Sequence, residues 1–138
     1  MNGCVFCSIV AGDIDAVQVD ADETTVVFLD RSPLFRGHVL VVPRLHVATL
    51  AHLPADQLAS YFGVVQRVSA VMPDTLDVDG TFVAMNNTVS QSVPHLHTHV
   101  VPRRYKDGLR GFFWPRQRYA NIAEMESFAA RLRDAMRA

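Results

Sequence analysis

Apolar residues recur at helical spacing in three stretches of the chain and in alternating or unbroken β-type runs in five others. Val5, Phe6, Ile9 and Val10 follow a helical period and stop at Gly12, which predicts a short helix over 4–12. Between Pro54 and Met72 the stripe Leu58, Tyr61, Phe62, Val65, Val68 and Met72 predicts the longest helix. Pro54 falls in its first turn, where a missing N–H is tolerated. A third helix, Asn121 to Arg137, opens on a capping box of Asn121 with Glu124 and carries Ile122, Met125, Phe128, Leu132 and Met136 on one face.

The β-type runs begin with Val17 to Val19 and Thr24 to Leu29, a hairpin around the acidic turn 20–23. Residues 37–42 are almost all apolar and predict a central strand, and Thr81 to Met85 follows the turn Asp79-Gly80. In the last run His95, His97 and His99 alternate with Leu96, Thr98 and Val100, bracketed by Pro94 and Pro102. Three helices and about five strands give an α+β fold.

Length and composition narrow the class. A chain of 138 residues with 49% hydrophobic content suits one domain with one core. A net charge of −1 gives no reason to expect a nucleic-acid partner. No apolar run approaches the ~20 residues of a membrane span, and no charged leader precedes an apolar block. Cys4 and Cys7 are too few and too close for a secreted disulfide scaffold, so the expectation is a soluble, cytoplasmic protein.

The histidine row carries the candidate chemistry. Three imidazoles on one strand face each need a polar partner if buried, which disfavours a plain core role. One metal cannot hold all three, because residues four apart on a strand are separated by roughly 13 Å. Two of them could still share an ion, the row could relay protons, or one ring could be a nucleophile with the others serving it. The Cys4-x-x-Cys7 pair is similarly open: buried thiols, a redox pair, or half of a structural zinc site completed by His46 or His95. By itself Asp30 reads as a turn or cap carboxylate, and His38 as a core histidine.

The segment Gln91-Ser92-Val93-Pro94-His95-Leu96-His97-Thr98-His99-Val100-Val101 resembles the signature of the histidine triad (HIT) superfamily. The stretches Leu29-Asp30-Arg31-Ser32-Pro33 and Gly37 to Pro43 fit as well, so the resemblance spans about residues 4–105, with 106–138 as a basic, aromatic loop and a C-terminal helix. It implies an antiparallel sheet, continued across a homodimer through the long helix and its neighbouring strand. It further implies hydrolysis or transfer at the α-phosphate of purine nucleotide conjugates, either dinucleoside polyphosphates or nucleoside phosphoramidates, through a nucleotidyl-histidine intermediate. His97 would be the nucleophile, its Nδ1–H held by a backbone carbonyl. His99, aided by His38, would donate to the phosphate oxygens, and Ser92 or Gln91 would serve the leaving group. Phe6, Ile9, Phe28 and Leu29 would line the base pocket, with Asp30 accepting from the ribose hydroxyls.

Bacterial members that look like this chain carry a structural zinc, here on Cys4, Cys7, His46 and His95, and the chemistry itself requires no catalytic metal. Relatives generally have a glycine in the loop before Gln91, whereas residues 86–91 contain none, leaving Asn86 and Asn87 as phosphate donors. Residues 103–119 hold six basic and five aromatic side chains, Trp114 among them. That loop reads as a solvated basic face, a lid over the leaving nucleotide, or a nucleic-acid contact. Two rival classes remain, a metal-dependent hydrolase and a nucleotide-binding scaffold without turnover.

Overall fold

The computed structural model describes residues 3–110 and 116–138. It divides into two compact units, one ending at Asp107 and one running from Gly108 to Ala138. The first contains α1 (Val5–Ala11), β1 (Gln18–Ala21), β2 (Thr25–Leu29), β3 (Val39–Pro43), α2 (Leu58–Leu76), β4 (Gly80–Ala84) and β5 (Thr98–Arg103). The strands form one antiparallel sheet in the order β1-β2-β3-β5-β4. Among the described residues no helix is long and apolar enough to cross a membrane.

Strand alternation sorts the side chains into two apolar clusters. Val27, Val39, Val41 and Val100 pack with Leu96 against Tyr61, Val64, Val65 and Met72 of α2. Val26, Phe28, Leu40 and Val42 pack with Cys4 and Phe6 of the α1 segment. One face of the sheet is therefore covered by the long helix and the other by the short one. Tyr61 ties the first cluster together, since its hydroxyl donates to Val41 O at 2.9 Å and lies 2.7 Å from Thr98 Oγ1. Tyr61→Phe leaves both partners buried without it and is expected to lower stability by about 1–3 kcal/mol in denaturant unfolding, with the fold retained.

Gly37 makes the entry into β3 possible. Its φ of 102° suits glycine, and a Cβ there would lie 2.7 Å from Leu76 Cδ1. α1 ends at Gly12 in the left-handed conformation, φ 84°, as the periodicity predicts.

Three expectations are corrected. α2 starts at Leu58, after a 3₁₀ turn over Ala55–Gln57, and continues through Pro73 to Leu76. Pro73 has no N–H to give to the preceding turn, but its carbonyl accepts from Val78 N–H at 3.0 Å and so takes part in closing the helix end. Pro102 lies inside β5, opposite Thr81, and not beyond it. The ladder to β3 has already ended at Val39 and Val100, so no bond from that side is lost. Lastly, the histidine row is not a single strand face, because β5 begins at Thr98 and only His99 belongs to it.

The second unit contains α3 (Ile122–Arg137). Asn121 Oδ1 accepts from Glu124 N–H at 2.9 Å, and the Glu124 carboxylate accepts from Ala120 N–H at 3.1 Å, one residue before the usual capping-box donor.

Candidate functional site

Strand register assembles the site. Phe28 on β2 pairs with Leu40 on β3, which pairs with His99 on β5, so the three point to the α1 side in one row. They line a cavity of about 750 Å³, together with Phe6, Ile9, Leu29, Asp30, Ser92 and His97.

Hydrogen bonds fix where the imidazole protons sit. His97 Nδ1 lies 2.8 Å from His95 O, an acceptor only, so Nδ1 carries the proton and Nε2 keeps its lone pair. The Leu34 N–H donates to His38 Nδ1 at 3.1 Å, which places the His38 proton on Nε2. That nitrogen in turn donates to His99 Nδ1 at 2.9 Å, leaving His99 with its proton on Nε2. The rings of His97 and His99 stand 5.1 Å apart, an acceptor nitrogen on one and a donor N–H on the other. Asp30 Oδ2 is 3.6 Å from His38 Nε2 and acts as a nearby charge, while its Oδ1 accepts from Ser32 N–H at 2.9 Å.

Burial, and then the neighbouring His97 and His38, push His99 down to about 4. Burial also lowers His38, against the opposing pull of Asp30. Both rings are therefore neutral at pH 7. Because these values are depressed on folding, the unfolded chain binds more protons at mildly acid pH, and stability is lost as pH falls from about 6.5 toward 4. A thermal melt series across that window is expected to show a falling Tm, with a shallower slope in His99→Asn.

A second cluster lies at the start of α1. His95 is fully buried, and its Nε2 donates to Pro43 O at 2.8 Å, turning the Nδ1 lone pair toward Cys4 Sγ and Cys7 Sγ, each at 3.5 Å. His46 Nδ1 is 3.2 Å from Cys7 Sγ, and all four donor atoms lie within 4.8 Å of one another. Tetrahedral zinc with N and S ligands separates its donors by roughly 3.3–3.8 Å, so this Cys2His2 set fits the ion. Burial, then the neighbouring Cys4, raises the Cys7 thiol, and a bound cation would offset both.

Asp30, His38 and His99 also fall within 4.8 Å of one another. There His38 Nδ1 is occupied by the Leu34 N–H, so Nε2 must keep its proton and cannot ligate. This group is a proton-ordering chain and not a metal centre.

Of the residues expected in the site, Asn86, Asn87 and Gln91 are engaged elsewhere. Gln91 Nε2 donates to Ala48 O at 2.6 Å and its Oε1 accepts from Thr88 N–H at 3.1 Å. Asn87 Oδ1 accepts from Leu50 N–H at 2.9 Å, and Asn86 Nδ2 donates to Ser90 O at 3.2 Å. These amides hold a glycine-free loop in which Thr88 and Ser90 take φ of 73° and 61°. His38 stands behind His99 and is absent from the cavity wall, and Trp114 lies outside the described residues.

Missed from the sequence were the wall residues Ile14 to Val17, Leu40 and Val93. Ile14, between the short helix and the hairpin, and Val17, at the hairpin's start, were the available signal, both apolar.

The HIT domain family model matches residues 11–106. The chain belongs to the HIT family. Among solved structures, SMU.412c of Streptococcus mutans superposes with a TM-score of 0.89 at 32% identity, covering 99% of this chain and 87% of that one. A zinc-bound histidine triad protein of Mycobacterium smegmatis gives a TM-score of 0.74 at 36% identity, covering 93% and 97%. By sequence, this HIT chain is 32% identical over 118 residues to the adenosine 5'-monophosphoramidase HNT1 of Candida albicans, 81% of this chain and 78% of that protein.

Proposed function

We propose that this HIT protein hydrolyses purine nucleotide conjugates at the α-phosphate, by way of a nucleotidyl group carried on His97. The observation that supports this most directly is the His97 Nδ1–H bond to His95 O, which leaves Nε2 as a free base on the wall of a nucleotide-sized cavity. Resemblance to an adenosine 5'-monophosphoramidase supports the same reaction class and favours phosphoramidates.

In the first half-reaction Nε2 forms a bond to the α-phosphorus as the bond to the leaving group breaks, and Ser92 supplies a hydrogen bond to the departing atom. His99 donates Nε2–H to a non-bridging oxygen, its proton held there by the chain from Leu34 through His38. Water then attacks the phosphorus as the bond to His97 Nε2 breaks, releasing the nucleoside monophosphate, and the proton it sheds replaces the one the departing amine took up through the Ser92 hydroxyl. Phe6 and Phe28 flank the base, and Asp30 accepts from the ribose hydroxyls.

The four donors Cys4, Cys7, His46 and His95 would hold zinc, which when bound fastens α1 to the sheet and takes no part in phosphorus chemistry. A homodimer through α2 and the free edge of β4 is favoured by the exposed Leu58, Phe62, Val71 and Val83.

The test is rapid-quench trapping into alkaline denaturant with a labelled adenosine phosphoramidate. Label recovered on a peptide containing His97, through an acid-labile and base-stable bond, is the expected result. Tight nucleotide binding with neither turnover nor trapped label would replace the reading with that of a binding module.

A further inference from the structure

We propose that Asp15 and Gln18 form a base-reading edge at the end of the cavity remote from His97 and His99, and that this edge selects guanine over adenine. The inference rests on the nucleotide reading of the cavity, and it names which purine the cavity takes.

Strand pairing supplies a ruler. Gln18 pairs with Phe28, Phe28 with Leu40, and Leu40 with His99, so one row crosses four strands of the sheet. Three interstrand steps put Gln18 about 14 Å from His99, a span suited to a nucleoside 5'-phosphate laid along the row. With phosphorus at the imidazoles and ribose at Asp30, the base extends toward β1.

At that end the cavity adjoins a recess of about 160 Å³, with Ile9, Ile14, Asp15, Ala16 and Phe28 common to both walls. The apolar members offer surfaces for the faces of a purine. The polar side chains in the wall of the recess are Asp15 and Gln18. Among the described residues neither makes a side-chain hydrogen bond or ion pair, although Arg31 also lines the cavity. Both are solvent-exposed and free to meet a ligand. The register of β1 slips between Gln18 and Asp20, the kind of irregularity that re-aims a side chain beside a site.

The chemistry of this edge separates the two purines. A carboxylate only accepts, and guanine presents N1–H and the N2 amino group side by side. Beside them guanine O6 accepts, which the Gln18 amide N–H can satisfy. Adenine offers N1 as an acceptor at the same place, so a lone pair would face the Asp15 carboxylate.

The experiment compares kcat/KM for guanosine, inosine and adenosine 5'-phosphoramidates on the intact protein, with equilibrium binding of GMP, IMP and AMP alongside. The exposed position limits the preference, and guanosine is expected to lead adenosine by about tenfold, with inosine between them for want of the N2 amino group. Asp15→Ala and Gln18→Ala should each compress the guanosine-to-adenosine ratio, and Asp15→Asn should compress it while keeping side-chain volume. A wild-type ratio at or below one, in turnover or in binding, overturns the proposal, as does an unchanged ratio in Asp15→Ala. If no conjugate is turned over but GMP still binds better than AMP, the base-reading edge stands and the hydrolytic reading falls.

Discussion

His97→Ala is expected to reduce turnover of a nucleoside phosphoramidate by about 10⁴-fold or more while lowering the melting temperature by only several degrees, with the fold retained. Removing a covalent nucleophile takes away the whole first half-reaction, and the losses for such groups are of this order. The ring is 2% exposed, and its polar contact is one hydrogen bond to a backbone carbonyl, so alanine costs packing against Phe6 but opens no charged pair. Steady-state kinetics, alkaline-quench trapping and a thermal melt on the same preparation separate the two effects. Full activity in His97→Ala would remove the nucleophile assignment. Loss of activity together with collapse of the melt would reduce His97 to a structural role.

Metal removal is expected to have the largest effect on stability. A strong chelator should lower Tm by ~10 °C or more, which for a domain of this size corresponds to at least about 3 kcal/mol of binding energy coupled to folding. Cys7→Ser should give the same shift without chelator and blunt any further response to it. Below the lowered Tm, turnover should persist, because the phosphorus chemistry is assigned to imidazoles. Immediate loss of turnover at unchanged Tm would instead point to a metal-dependent hydrolase. Elemental analysis of the purified protein, at one zinc per chain, completes the test.

Most of the architecture could be read from periodicity, because α1 and α2 each bury one consistent face, while β2 and β3 read as near-continuous apolar runs and are buried on both. The histidine row was legible as a functional segment but not as a shape. Period-two spacing suggests a strand, yet the ladder with β3 runs only from Thr98 to Val100. Before it the chain leaves the sheet so that His95 reaches Cys4 and Cys7, a tertiary demand that local spacing does not encode.

Asn86, Asn87 and Gln91 illustrate a different limit. An amide that staples its own loop and an amide that meets a phosphate are the same residue type, and only the positions of Ala48 O, Leu50 N–H and Ser90 O distinguish them. The ordering of the His38 and His99 protons depends on the Leu34 main-chain N–H, a group every residue except proline possesses. No side-chain pattern could have announced it.

That ordering has a consequence for the conditions under which the protein works. A main-chain amide and two uncharged rings give His99 its donor polarity, and the nearby Asp30 carboxylate faces a neutral His38 ring in place of a cation, so dissolved salt has little to screen. Single-turnover rates at saturating substrate should hardly vary between dilute buffer and molar sodium chloride. Enzymes that orient a reactive imidazole with an exposed ionic partner lack that immunity.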